Sequence, residues 1–194
     1  MGEIEIIYAL QGAGEGWITF FRIFTLLGSW LGFAIALMPL FFKDRKLSFA
    51  YVATFVFSVL FNLALKAIIA RPRPFDSFED VINYAGADGY SMPSSHAMCG
   101  AIIATFLIYF LFKQTKNVWG RTFGMIGLSL YAILVAFSRM ILGAHYLSDV
   151  VVGLIEGVLL AIIGIIVYNV ICRKLAKKKV KEEGNEITER EDKE

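Results

Sequence analysis

Charged residues are scarce in this sequence of 194 residues. Asp, Glu, Lys and Arg together make up 19% of it, whereas an average soluble domain has about 25%. Hydrophobic residues make up 57%, and they fall in long blocks with almost no charge, as membrane-spanning helices do. An ordinary cytosolic enzyme and a disordered chain are therefore excluded. The net charge of +2 is too small and too scattered to indicate binding to nucleic acid.

Cysteine and histidine are also rare, with two of each in the chain. Two cysteines form neither a disulfide framework nor a tetrahedral zinc site, which excludes a secreted disulfide scaffold. Cys99 and Cys172 lie in or beside apolar blocks, so we expect them to be small packing residues. Two histidines and scattered carboxylates make a poor metal cage, and we expect neither a metal nor another cofactor.

Five apolar blocks predict an all-α fold, a polytopic transmembrane helical bundle. Each block is long enough, at about 1.5 Å per residue, to cross a hydrocarbon core of about 30 Å. The N-terminal segment, residues 4–21, is of mixed polarity, and we expect an interfacial or partly re-entrant element there, with a sixth span as the alternative. The predicted spans are Ile23–Phe42, Leu47–Ala70, Pro93–Phe112, Thr122–Phe137 and Leu147–Cys172.

The basic residues of the links predict the orientation of the bundle. With five spans, the basic stretches 43–46, 113–121 and 173–181 lie on one side, and an excess of Lys and Arg marks the cytoplasm. The opposite side then faces the outside or the periplasm of a cell membrane. We divide the chain into a membrane-embedded domain, residues 1–172, and a charged cytoplasmic tail, residues 173–194, which is solvated and partly disordered or forms a short helical extension.

Ionisable side chains cluster at the predicted outer face. Such groups are costly within a bilayer and mark functional sites by default. Both histidines, His96 and His145, fall at this depth, together with Lys66, Arg73 and Arg139. The three cations offer N–H donors and no acceptor, and they outnumber the nearby carboxylates. We therefore predict that they bind an anion, most naturally a phosphate.

The start of the third span adds further donors for this anion. Pro93 suits the first turn of a helix and serine suits its cap. Ser94 supplies a hydroxyl group, and the backbone amides of Ser95 and His96 point at an anion from the helix N-terminus.

A histidine and a carboxylate open the fifth span. His145 and Asp149 are four residues apart, so they share a helical face and the carboxylate can accept a hydrogen bond from one imidazole nitrogen. The other nitrogen is then free as a nucleophile or base, and His96 can approach from another helix. One histidine to attack phosphorus and one to protonate the leaving oxygen complete an in-line phosphoryl transfer that requires no metal.

Three stretches carry these residues at spacings that resemble a known family. Residues 66–74 hold a lysine, six residues and then Arg-Pro. Residues 93–96 read Pro-Ser-Ser-His, and residues 138–149 hold Ser-Arg, five residues, His, three residues and Asp. They resemble the three signature motifs of the type 2 phosphatidic acid phosphatase superfamily, which also contains vanadium haloperoxidases. Each motif alone is weak, but three in order at one membrane face are specific.

The resemblance implies a role for each matching residue. His145 would be the nucleophile and form a phosphohistidine, Asp149 would orient it, and His96 would protonate the leaving group. Ser95 stands where the family commonly has glycine, which we expect to cost little, and the family often has six spans rather than five. The implied phosphate-binding residues are Lys66, Arg73, Ser94 and Arg139, with the backbone amides of Ser95 and His96.

Two charged residues, Arg71 and Glu156, do not fall on fixed positions of these motifs. We expect Arg71 to be an interfacial cation that reaches lipid head groups, with approach to a second phosphate as the alternative. We expect Glu156 to pair with Lys66 beneath the site or to face a water-filled cavity. Gly153 and Gly157 are spaced for close contact between helices in a membrane.

The pattern predicts an integral-membrane, metal-independent lipid phosphatase. A site at the edge of the bilayer admits a head group while the lipid tail stays among the spans. We favour undecaprenyl diphosphate as substrate, with phosphatidylglycerol phosphate, phosphatidic acid and lipid A phosphate as alternatives. An anion or lipid transporter is the non-enzymatic alternative, although pure binding needs no oriented nucleophile. The expected partners are this substrate and membrane lipids, without nucleic acid, and the oligomeric state is left open.

Overall fold

The computed structural model describes residues 2–191, without the side chains of Trp30, Gly184 and residues 186–191. This range is helical and contains no strand, which confirms the predicted all-α class. The helices are α1 (Glu3–Gln11), α2 (Glu15–Phe24), α3 (Trp30–Lys43), α4 (Arg45–Ile69), α5 (Pro74–Ser77), α6 (Ser95–Gln114), α7 (Val118–Ile141) and α8 (Leu147–Glu191).

Four of these helices, α4, α6, α7 and α8, are long and apolar enough to cross a membrane. A fifth crossing exists if α2 and α3 are counted as one span bent by 44°. The predicted boundary between an interfacial segment, residues 4–21, and a continuous span, residues 23–42, is therefore wrong. A 3-10 turn, Thr25–Gly28, breaks the first span. A Cβ atom at Gly28 would overlap the side chain of Val135, so the chain presses against α7 at this break.

Helix α6 lies at the centre of the bundle, with α8 and α7 packed along it and α4 packed on α8. The approach of α8 to α6 is close because two glycines face α6. A Cβ atom at Gly153 would stand 2.5 Å from the carbonyl oxygen of Ser94, and one at Gly157 would overlap the carbonyl of Met98. The predicted packing role of both glycines is confirmed.

One polar cluster joins three segments at the end of the bundle where α6 finishes. The ammonium group of Lys113 donates to the carboxylate of Asp44 at 2.6 Å, and the hydroxyl of Tyr168 donates to the same oxygen at 2.8 Å. The ammonium also lies 4.8 Å from the centre of the Tyr168 ring. These contacts connect α6 and α8 to the junction between α3 and α4.

Helix α8 continues beyond the apolar block into the predicted tail. The tail is a helical extension as far as residue 191, and its last three residues, like Met1, lie outside the described residues. Residues 173–183 of this extension are exposed. Ion pairs with a spacing of four residues, of the kind that supports isolated helices, join Lys178 to Glu182 and Lys179 to Glu183.

Candidate active site

A cavity of about 370 Å³ lies where α4 and α7 end and where α6 and α8 begin, which we call the site end of the bundle. Its volume is within the range of small-molecule sites. A larger groove of about 800 Å³ between α4 and α8 is apolar and contains none of the predicted site residues. Six of the eight predicted site residues line the smaller cavity: Lys66, Arg73, Ser95, His96, Arg139 and His145.

The end of α4 sets the positions of the first two cations. Ala70 adopts a left-handed conformation (φ 48°) that ends the helix, and the two prolines that follow cannot rebuild it. Lys66, in the last turn, donates to the carbonyl oxygens of Tyr90 at 2.9 Å and Ser91 at 3.0 Å. Its charge is thereby held at the edge of the cavity without a carboxylate partner among the described residues.

Arg73 is buried and is held by three backbone carbonyls. Its Nε and Nη2 donate to the loop carbonyls of Asp88, at 3.0 and 2.7 Å, and Nε also donates to that of Gly89 at 2.8 Å. Its Nη1 donates to the carbonyl of Ala144 at 2.9 Å and lies 3.3 Å from Nε2 of His145. The guanidinium group therefore sits beside one ring nitrogen of the predicted nucleophile.

The first turn of α6 presents backbone donors to the cavity. Ser94 is the N-cap, its hydroxyl accepting from the amide of Ala97 at 3.5 Å. Its own amide donates to the carbonyl of Asp149 at 3.0 Å, which ties α6 to α8. The amides of Ser95 and His96 belong to the first turn, where N–H groups have no partner within the helix. This geometry matches the predicted helix N-terminus, an arrangement that attracts anions.

Arg139, near the end of α7, carries a donor that the protein does not satisfy. Its Nη1 donates to the hydroxyl of Thr25 at 3.0 Å. Its Nε is buried and has no hydrogen-bond partner in the described part of the chain. A buried donor without an acceptor costs about 1–3 kcal/mol, and an oxygen of a bound anion in the cavity would supply that acceptor.

The link between α7 and α8 carries His145. The turn requires Gly143 with a positive φ of 71°, and a Cβ atom there would overlap the carbonyl of Ile82. Burial, followed by the nearby cations, lowers the pKa of His145 to about 3, against the raising effect of Asp149. The imidazole is therefore uncharged at neutral pH and has a lone pair available.

Asp149 stands behind His145 and is fully buried. Its Oδ2 accepts from the amide of Tyr146 at 2.9 Å and lies 3.5 Å from Nδ1 of His145. This separation is too long for a normal hydrogen bond, and Nδ1 of His145 has no partner among the described residues. Catalytic hydrogen bonds are often long before substrate binds and shorten in the complex. The structure thus brings the predicted pair together without closing its hydrogen bond.

Arg71 belongs to this site, and the expectation of an interfacial cation is wrong. Its Nη1 donates to Oδ1 of Asp149 and to the hydroxyl of Ser148, both at 2.6 Å, and its Nη2 donates to Glu3 at 2.9 Å. Its guanidinium carbon lies 4.0 Å from the centre of the Tyr146 ring. The only signal in the sequence was the first arginine of Arg-Pro-Arg-Pro, residues 71–74, and nothing pointed to Glu3.

Glu156 forms a chain of hydrogen bonds rather than the predicted pair with Lys66. Asn62 donates to Oε2 of Glu156 at 2.8 Å, and the hydroxyl of Ser95 donates to the amide oxygen of Asn62 at 2.6 Å. No ion pair joins Lys66 to Glu156 in the described range, because Asn62 occupies this depth of α4 and Lys66 reaches towards the loop. The second oxygen of Glu156 is buried without a partner there.

No group of three or more His, Cys, Asp or Glu side chains within residues 2–191 is arranged to hold a metal ion. The fold and the cavity define a helical membrane protein in which cationic side chains and a helix N-terminus surround a neutral imidazole. The family model of the PAP2 superfamily matches residues 47–172, more than half of the chain. The chain belongs to this superfamily, which confirms the resemblance seen in the three motifs.

Relatives and a solved structure agree with this assignment. The chain is 29% identical over 123 residues to undecaprenyl-diphosphatase of Sulfolobus acidocaldarius, covering 63% of this chain and 55% of that protein. It is 33% identical over 102 residues to phosphatidylglycerophosphatase B of Bacillus subtilis, covering 52% and 48%. The chain thus spans about half the length of these curated relatives.

The similarity extends to three-dimensional structure. The crystal structure of a transmembrane PAP2-type phosphatidylglycerolphosphate phosphatase from Bacillus subtilis superimposes with a TM-score of 0.73 at 26% identity. The match covers 84% of this chain and 82% of that one. The two chains are therefore alike over most of their lengths.

Proposed function

We propose that this protein is an integral-membrane lipid phosphatase that acts through a phosphohistidine on His145. One observation carries the proposal. A buried, uncharged imidazole has one ring nitrogen 3.3 Å from the guanidinium of Arg73 at the cavity and the other 3.5 Å from the carboxylate of Asp149. A pure anion-binding site has no need of a neutral imidazole with a carboxylate behind it.

The side chains around the cavity supply the two steps of the reaction. Nε2 of His145 attacks phosphorus, an N–P bond forms and the P–O bond to the lipid breaks. His96, protonated beside the bound phosphate anion, donates its proton to the leaving oxygen. Water then attacks phosphorus, a new P–O bond forms while the N–P bond to His145 breaks, and neutral His96 takes a proton from that water as phosphate leaves. Lys66, Arg73 and Arg139 stabilise the negative charge on the three equatorial oxygens in both steps.

The helix ends support a site on the outer face of a cell membrane. The site end lies opposite the basic links 43–46 and 113–121 and the basic part of the tail. Because cytoplasmic flanks are enriched in Lys and Arg, the site faces the outside or the periplasm and the tail lies in the cytoplasm. The head group enters the cavity there while the lipid tail remains in the bilayer.

Among lipid phosphates we favour a polyprenyl diphosphate, with undecaprenyl diphosphate as the first choice. Arg22 lines the cavity in addition to Lys66, Arg73 and Arg139, and four cations suit a diphosphate better than a monoester. The relatives named above act, by their names, on undecaprenyl diphosphate and phosphatidylglycerol phosphate. Phosphatidylglycerol phosphate, phosphatidic acid and lipid A phosphate are the alternative substrates.

The test is phosphate release by the purified protein in detergent with EDTA, using these four lipids and a soluble phosphate ester. The matched variant is His145→Asn, with its thermal unfolding midpoint as the check on folding. We expect release from the diphosphate to be fastest, to vanish in the variant, and to be accompanied by an acid-labile phosphoprotein in the parent alone. A folded protein that releases no phosphate would overturn the proposal and favour an anion or lipid transporter.

A further inference from the structure

From the contacts of Arg71, which is not one of the fixed positions of the three motifs, we infer that Arg71 and Glu3 are positioning residues for the carboxylate of Asp149. The N-terminal helix α1 is then part of the catalytic apparatus. The inference rests on the proposed phosphatase function, because Asp149 matters there through its action on the nucleophile.

The contacts of Asp149 explain how Arg71 acts. Nη1 of Arg71 holds Oδ1 at 2.6 Å, and the amide of Tyr146 holds Oδ2 at 2.9 Å. Together the two donors set the rotation of the carboxylate, and with it the 3.5 Å approach of Oδ2 to Nδ1 of His145. If Arg71 is removed, the amide of Tyr146 is the one donor left to the carboxylate of Asp149 within residues 2–191, and the carboxylate can turn away from the imidazole.

The guanidinium group is itself fixed in place. It stacks on the ring of Tyr146 at 4.0 Å, and its second terminal nitrogen donates to Glu3 at 2.9 Å. Glu3 also accepts from the amide of Ser148 at 2.6 Å, in the first turn of α8. One carboxylate from α1 therefore caps α8 and orients Arg71 at once.

Glu3 further moderates the charge that Arg71 presents to Asp149. An arginine with a single carboxylate partner would neutralise that carboxylate and weaken its hold on a histidine that gains positive character during attack. With Glu3 on its other side, Arg71 is shared between two carboxylates. Asp149 then keeps negative charge for His145.

Helix α1 is anchored well enough to serve this purpose. Ile7 is fully buried and packs with Val81 and Tyr146. Gln11 exchanges two hydrogen bonds with the backbone of Ile82, at 2.8 and 3.1 Å. Glu3 therefore reaches Arg71 from a helix whose middle and C-terminal end are docked on the loop following α5.

The experiment compares kcat and KM for phosphate release by Arg71→Ala, Arg71→Lys, Glu3→Gln and the Arg71→Ala/Glu3→Gln double variant. Arg71→Ala should lower kcat about 10- to 100-fold, the range of a misplaced catalytic group, with little change in KM. Arg71→Lys should recover part of kcat, because one ammonium can hold one carboxylate but not both. Glu3→Gln should lower kcat by less, and the double variant should resemble Arg71→Ala alone.

Glu5→Gln is the matched control, because it removes a carboxylate from the same helix. That carboxylate accepts a hydrogen bond from the amide of Gly2. Its kcat should stay at the parent value. If Arg71→Ala raises KM and spares kcat, Arg71 binds the lipid head group and the inference is overturned while the phosphatase stands. If Arg71→Ala does not fold, the other two variants decide. A parent-like kcat in both Arg71→Lys and Glu3→Gln then overturns the inference that these residues position Asp149. A parent protein without turnover would instead refute the proposed function.

Discussion

Replacing Gly153 by alanine inserts a methyl group between α8 and the first turn of α6. Its carbon would stand 2.5 Å from the carbonyl oxygen of Ser94, whereas ordinary contact begins at 3.4 Å, so the two helices must separate by about 0.9 Å. Ser94 caps the first turn of α6, in which Ser95 and His96 line the cavity. The backbone amides of these two residues are the predicted phosphate cradle. The substitution therefore displaces the predicted phosphate cradle without altering any side chain in it.

The size of the effect follows from this displacement. A shift of about 1 Å at a catalytic group can lower the rate about 100-fold, so we expect kcat/KM to fall roughly 10- to 100-fold. Overpacking costs about 1–3 kcal/mol, offset by about 0.5–1 kcal/mol from replacing glycine in a helix. The net loss of stability should therefore be about 0–2.5 kcal/mol, so we expect the variant to remain folded while its activity falls.

Two other glycines separate the possible causes. Gly157→Ala, one turn deeper, presses on Met98 and Ala101 rather than on the cradle and should lower the unfolding midpoint more than the activity. Position 127, in α7, has open space for a Cβ atom. Gly127→Ala should therefore match or exceed the parent in unfolding midpoint and in activity. Lipid phosphate release and thermal unfolding in detergent are measured for all three. A parent-like kcat/KM in Gly153→Ala would refute the argument that this contact positions the cradle.

Three further predictions concern acid stability, the buried carboxylate and metal. Burial alone would raise the pKa of Asp44, but hydrogen bonds from Lys113 and Tyr168 hold it below its ordinary 3.8. The stabilisation by ionised Asp44 is thus complete above about pH 4 and is lost as the pH falls through the lowered pKa. Asp44→Asn should therefore reduce the pH dependence of the thermal unfolding midpoint below about pH 4. A pH dependence equal to that of the parent would contradict this. Glu156→Gln keeps an acceptor for Asn62 and should preserve the unfolding midpoint. Glu156→Leu leaves the buried amide donor of Asn62 unpaired and should lower stability by about 1–3 kcal/mol. Equal midpoints in the two variants would contradict a stabilising role for the hydrogen bond between Asn62 and Glu156. Phosphate release should be unchanged after EDTA treatment, and recovery only on adding a divalent metal would disprove metal independence.

Most of the spans were predictable because the bilayer sets a length that a run of apolar residues must match. The core of α8 over Leu147–Cys172 needed only hydropathy. The first span was harder, because its break depends on the contact of Gly28 with Val135, more than a hundred positions away. The hydropathy of residues 23–42 does not indicate that contact.

The same distinction holds at the site. His145 and Asp149 are four residues apart, and Lys66 lies seven before Arg73, so local spacing identified them. Glu3, by contrast, meets Arg71 across 68 positions.

The sequence by itself determined the membrane bundle and the residues of the three motifs, since both depend on periodicity and spacing along the chain. Only the tertiary structure decided which partner each buried charge has. Arg71 holds Asp149, and Glu156 holds Asn62 instead of Lys66. A buried charge pairs with whichever polar group the packing brings within about 3 Å, and that packing is a property of the whole fold.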